Sequence, residues 1–174
     1  MFPKVKLRSV HEAGSTLALK IISGGQTGVD RAALDVALKH GIECDGWVPA
    51  GRLDEFGRIP DRYPIKELPN GGFPERTLQN VIDSDGTVIF CRGKIEGGTE
   101  YALRCCRDQK RPHGIIDAEK IPTDGAARAI VSLVQTEKIE SLNVAGPRRT
   151  EWPGGYDYAF AVLEKVVKTD LDHN

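Results

Sequence analysis

Residues 19–31, Leu-Lys-Ile-Ile-Ser-Gly-Gly-Gln-Thr-Gly-Val-Asp-Arg, constrain this chain more than any other stretch. An apolar run stops at Ser23, glycines follow at positions 24, 25 and 28, and an amphipathic segment from Val29 to Lys39 begins at once. The succession reads as a strand, a glycine-rich turn and the start of a helix. Glycine admits positive φ and lets the main chain approach a neighbour with no Cβ between them. Backbone N–H groups at such a turn, backed by a helix dipole, can hold a phosphate or another oxyanion. The same glycines also suit a tight turn demanded by packing alone.

The pattern continues along the chain. Short runs rich in Val and Ile at Ala18–Ser23, Thr87–Cys91, His113–Ile116 and Leu142–Ala145, with a weaker one at Glu43–Val48, have the length and composition of buried parallel strands. Helices are predicted between them at Val29–His40, Glu75–Asp83, Thr99–Lys110, Thr123–Thr136 and Tyr156–Lys168, the first closed by Gly41. This alternation predicts an α/β fold, a single doubly wound domain over residues 18–170. About five mainly parallel strands form an open sheet with helices on both faces. Residues 1–17 read as a polar N-terminal extension. Residues 45–73 form an irregular excursion too long for an ordinary connection, and loops of that length tend to be functional.

Composition narrows the partners. A net charge of −1 gives no global field to recruit nucleic acid or an acidic membrane. No apolar run approaches the roughly 18 residues a membrane span needs. The four cysteines form no C-x-x-C pair, and the four histidines show no metal-binding spacing, so no structural metal is expected. Reduced structural thiols in a cytoplasm are the default for such a chain.

Ligands of open parallel sheets sit beyond the carboxyl ends of the strands, and four loops there carry unusual residues. In the first, Gly24, Gly25, Gln26, Thr27 and Gly28 lack both the G-K-[ST] ending of a P-loop and the G-x-G-x-x-G dinucleotide spacing. Gln26 and Thr27 can donate to an anion, and Asp30 and Arg31 either hold the loop or reach a ligand. The second is Ile95-Glu96-Gly97-Gly98-Thr99, another glycine pair before a predicted helix, with Thr99 able to cap and to donate. The third is the excursion, where Trp47 and Tyr63 offer flat faces and Arg52 and Arg58 offer anion contacts, or simply pack. The fourth is Gly146-Pro147-Arg148-Arg149, whose arginines either close over a phosphate or stay solvated. Arg76, Thr77 and Asn80 form a weaker polar group of the same kind. No Ser or Cys nucleophile sits in an elbow motif, so binding is better supported than chemistry.

Ser23-Gly24-Gly25-Gln26-Thr27-Gly28-Val29-Asp30-Arg31-Ala32-Ala33-Leu34-Asp35, then Gly46-Trp47-Val48-Pro49 with Gly51-Arg52, then Gly97-Gly98-Thr99, closely resemble the molybdenum cofactor carrier proteins. The likeness covers roughly residues 18–168. That family is similar to a wider Rossmann-like group of lysine-decarboxylase-like, phosphoribohydrolase and nucleotide-sensing domains. The resemblance implies a homo-oligomer and a pocket for a phosphorylated ring compound, with molybdopterin-type cofactor as cargo. The expected site is then Gly24, Gly25, Gln26, Thr27, Gly28, Asp30, Arg31, Trp47, Arg52, Gly97, Gly98, Thr99, Glu100 and Arg148. The enzyme branch carries G-G-x-G-T-x-x-E, ending in its acid/base glutamate. Here Ile95 and Glu96 stand where two glycines belong and Ala102 stands at the glutamate, while Glu100 falls two residues early. A carrier or binding protein for a pterin cofactor or nucleotide is therefore the leading expectation. The alternatives are a phosphoribohydrolase-type enzyme using Glu100 and a nucleotide-sensing module.

Overall fold

A computed structural model describes residues 19–171. The expected N-terminal extension, 1–17, lies outside the described residues. In chain order the elements are β1 (Lys20–Ser23), α1 (Val29–His40), β2 (Cys44–Asp45), β3 (Trp47–Val48), β4 (Leu53–Asp54), β5 (Gly57–Arg58), β6 (Lys66–Glu67) and α2 (Phe73–Ile82). They continue with β7 (Gly86–Cys91), α3 (Gly97–Asp108), β8 (His113–Asp117), α4 (Thr123–Glu137), β9 (Ser141–Ala145) and α5 (Gly155–Leu171).

The central sheet has five strands in the order β2-β1-β9-β7-β8, all parallel. Every residue of β7 is buried, as the Val/Ile-rich run predicts for a strand covered on both faces. Successive side chains of a strand point to opposite faces. Val88 and Phe90 accordingly join the large core beneath α1, α4 and α5, whereas Ile89 joins a smaller core with Val81, Leu103, Cys105 and Cys106 of α2 and α3. The result is a three-layer α/β/α domain. All four cysteines are free and buried. Among the described residues no helix is long and apolar enough to cross a membrane.

Two expectations are revised in detail. The weak strand over Glu43–Val48 is two strands: β2 belongs to the central sheet, and β3 leaves it after Gly46 to pair in parallel with β6. Helix α2 starts before Glu75, because Pro74 suits a first helical turn and the Glu75 carboxylate accepts the Gly72 N–H at 2.9 Å.

The excursion is ordered by burial. Val48, Ile59 and Tyr63 are among its residues in the main core, and β4 and β5 form a hairpin. Arg52 braces the turn by donating to the carbonyls of Ile59, Pro60, Tyr63 and Ile65 at 2.9–3.4 Å. The carbonyls of Pro60 and Tyr63 also accept backbone N–H groups, from Tyr63 and Ile65, so the arginine adds a second donor to these two and serves Ile59 and Ile65 as well.

The last strand, β9, lies between β1 and β7. From β1 the chain moves outward to β2, and from β7 it moves outward the other way to β8. Helix α1 packs on one face and α3 on the other. The strand order therefore reverses around β9, and a crevice opens beyond its carboxyl end.

Candidate functional site

A cavity of about 350 Å³ occupies that crevice. Its floor is Ala145 and Gly146 at the end of β9. Gln26 and Asp30 come from the first glycine-rich loop and α1, Gly97, Gly98 and Thr99 from the start of α3, and Arg76 and Thr77 from α2. Phe73, Pro74 and Tyr101 form an apolar wall, and Arg148 and Glu151 stand on the side of the β9–α5 loop. Both glycine-rich loops thus open onto one space at one rim of the sheet.

They contribute different atoms. In the first loop, the Gly25 N–H donates to Ser23 Oγ at 3.2 Å and the Gln26 N–H to Asp30 Oδ2 at 3.3 Å. The carboxylate of Asp30 already fills the position an exogenous anion would take there. The loop's side chains mostly face the excursion. Gln26 Oε1 accepts the Glu55 N–H at 3.3 Å, and the Thr27 hydroxyl donates to the Glu55 carboxylate. Arg31 donates to Gly25 O at 3.0 Å, pairs with Asp54 at 2.8 Å and lies over the Tyr63 ring. Gly25 has φ +69°, and a Cβ there would come within 3.0–3.3 Å of Ile65, Val48 and Ile59. This glycine seats the loop under the excursion.

The second loop leaves its donors open. Helix α3 begins after Glu96 with no side-chain cap, so the first N–H groups, at Gly97, Gly98 and Thr99, have no intrahelical acceptor. With the helix dipole they favour an anion at that end. A Cβ on Gly98 would meet nothing within 4 Å, so the helix start is uncovered.

Between the loops sits Arg76. Its side chain is 12% exposed and its charge is met by Asp30 at 3.5 Å. Its Nε is buried without a hydrogen-bond partner among the described residues. A Cβ on Gly24 would lie 1.7 Å from Arg76 Nη1, so the glycine makes room for the guanidinium. A buried, unsatisfied donor on a permanent cation is costly and marks a place for an acceptor. Burial pushes the Asp30 carboxyl up from 3.8 to about 6, with Arg76, the Gln26 N–H and Arg31 pulling the other way. Burial likewise lowers Arg76 from the usual guanidinium range, opposed by Asp30.

Of the residues expected at the site, Gln26, Asp30, Gly97, Gly98, Thr99 and Arg148 line this cavity. Thr27, Arg31 and Arg52 are engaged with the excursion, as described. Trp47 is elsewhere: its indole N–H donates to Asp83 at 2.6 Å, and Lys66 lies over its ring. Glu100 is exposed and is not part of the lining. Arg76 carries more of the cavity's character than its place in the sequence suggests. The signal was present in an arginine one turn into a helix that follows the excursion, but nothing local says that the helix leans over the first loop. Among the described residues, no group of three or more His, Cys, Asp or Glu is arranged to hold a metal ion.

Comparisons with known proteins agree with this architecture. A family model described as the circularly permutated YpsA SLOG family matches residues 21–167. A crystal structure of a candidate molybdenum carrier protein from Syntrophus aciditrophicus SB is 44% identical and superposes with a TM-score of 0.84, covering 86% of this chain and 96% of that one. No curated protein matches the sequence.

Proposed function

The chain belongs to the circularly permutated YpsA SLOG family, and on that premise we propose that it binds and carries a phosphorylated ring compound in the crevice above β9. The observation that carries this reading is Arg76, a buried guanidinium with an unsatisfied Nε that lines the same cavity as the uncapped start of α3. A phosphate seated there accepts from Arg76 and from the first N–H groups of α3, and Arg148 closes on it from the β9–α5 loop. Charge-assisted bonds of this kind are the strong ones. Phe73 and Tyr101 flank the ring, and the cavity volume is within the range of small-molecule sites. Asp30 and Gly24 position Arg76. Gly25, Gly28, Thr27, Arg31 and Arg52 shape the crevice.

The Syntrophus protein is named for carrying molybdenum, and together with the sequence resemblance this favours molybdenum cofactor as the cargo. The pterin of that cofactor and guanine share an aminopyrimidinone edge, so one cavity can accept either ring, and guanosine monophosphate is a stable probe for both. Glu100 is exposed and does not line the cavity, so binding rather than glycosidic cleavage is the activity assigned. The free buried thiols suit a reducing compartment. Self-association, expected from the resemblance, is read directly by sedimentation.

Calorimetric titration with guanosine monophosphate and with a pterin phosphate tests the site. Binding that is lost in Gly98→Asp, with an unchanged circular dichroism spectrum, is the expected result. An aspartate there fits sterically and puts a negative charge at the helix start. Equal affinity in wild type and variant would remove the phosphate from this position.

A further inference from the structure

A second cavity, of about 390 Å³, adjoins the first. It is lined by Arg92, Lys94 and Glu96 of the β7–α3 loop and by Pro147, Trp152 and Pro153 of the β9–α5 loop. The two cavities share Gly97, Thr99 and Glu151. The start of α3 is therefore a partition between two spaces rather than the end wall of one. Gly97 leaves the partition thin, since a Cβ there would find only Glu151, at 3.8 Å.

The far space has its own chemistry. Trp152 packs against Tyr158 with ring centroids 5.7 Å apart and gives the space an apolar floor with the two prolines. Arg92 and Lys94 bring two cations to its edge, where they meet only exposed acids, Glu119 at 3.6 Å and Glu96. Exposed pairs of this sort are weak and exchange readily for another anion. Glu151 is a carboxylate that lines both cavities. It is tied down by Arg148, whose N–H it accepts at 3.1 Å and whose Nε lies 3.6 Å away.

Resting on the phosphate site above, we propose that the two cavities form one bipartite site for a ligand with two ring groups joined by a diphosphate. The bridge lies across the start of α3. One phosphate meets Arg76 and Arg148, and the other meets Arg92 and Lys94. The first ring sits beside Phe73 and Tyr101, and the second sits over the Trp152 floor. The ligand class is thus a dinucleotide, or a pterin carrying a nucleotide through a diphosphate, rather than a monophosphate.

Parallel titrations of the full chain with guanosine monophosphate and with diguanosine diphosphate, whose halves are identical, test this. Wild type should bind the diphosphate-linked compound at least about tenfold more tightly, as expected for one further charge-assisted cluster. The advantage should shrink to within about threefold in the Arg92→Ala/Lys94→Ala double variant, both of whose side chains are exposed. Equal binding of the two probes by wild type overturns the bipartite site while leaving the monophosphate reading standing. An advantage that survives in the double variant overturns the assignment of the second half to this cavity. If neither probe binds, the first cavity is wrong and the extension falls with it.

Discussion

Asp30 should make this protein gain stability as the solution is acidified, against the usual behaviour of carboxylates. Its native carboxyl is pushed up to about 6 from 3.8 because burial outweighs the help of Arg76 at 3.5 Å, the Gln26 N–H at 3.3 Å and the more distant charge of Arg31. The unfolded chain releases this proton near the ordinary value. Between those two values the native state therefore holds more protons than the unfolded state, and stability rises as pH falls. Above the native value both states are ionised and the full destabilisation, about 3 kcal/mol, is present; below the unfolded value it has gone. Over the accessible interval from about pH 7.5 to about pH 4.5 the gain from this group alone is about 2 kcal/mol. The assay is urea unfolding at several pH values, in wild type and in Asp30→Asn. Asparagine keeps an acceptor for the Gln26 N–H but does not titrate. Because asparagine stands in for the neutral carboxyl, the same reasoning makes the variant more stable than wild type near neutral pH, with the two converging as the pH falls and Asp30 takes up its proton. The informative quantity is the difference in pH slope between the two proteins, in which all other titrating groups cancel. Parallel slopes would show that Asp30 is not held in the environment described and would undo the argument that Arg76 is a partly satisfied cation.

Three other outcomes follow from the same contacts. Arg76→Met, which keeps packing against Phe73, should weaken guanosine monophosphate by about ten- to a hundredfold, the worth of a lost charge-assisted bond; calorimetry reads this, and undiminished affinity would place the phosphate elsewhere. Gly25→Ala should destabilise by about 1–3 kcal/mol, because its φ of +69° and the closeness of Ile65, Val48 and Ile59 leave no room for a Cβ; the midpoint of urea unfolding reports it, and an unchanged midpoint would show that the excursion does not press on this loop. Arg52→Ala should cost about 1–2 kcal/mol by removing the donor to the carbonyls of Ile59 and Ile65 and the second donor to those of Pro60 and Tyr63, with increased proteolysis in residues 49–65 and little change in ligand affinity. A variant that unfolds like wild type but binds poorly would instead make Arg52 a ligand residue.

The sheet was legible because burial on both faces leaves a plain mark. Thr87–Cys91 and Leu142–Ala145 read as strands, and β7 and β9 lie there with ends shifted by one residue. The strand–glycine–helix succession also put both glycine-rich loops at one rim of the sheet, beside one cavity. What the residues could not show is how polar atoms divide between ligand and protein. Gln26 and Thr27 are the right types to receive an anion, yet the Gln26 N–H is consumed by Asp30 and both side chains by Glu55, from an excursion about 28 residues further on. The backbone N–H groups of Gly97, Gly98 and Thr99 keep their donors open because no side chain caps this helix start, the carboxylate of Glu151 nearby being engaged by Arg148. The difference is long-range, and a local pattern has no term for it. Trp47 and Arg52 show the same thing from the other side: a flat ring and a fork of donors suit a ligand, and equally suit Asp83 and four backbone carbonyls. The useful discriminator at such a rim is therefore whether a donor remains unmatched once the chain has folded. By that measure Arg76 outranks every residue of the more conspicuous first motif.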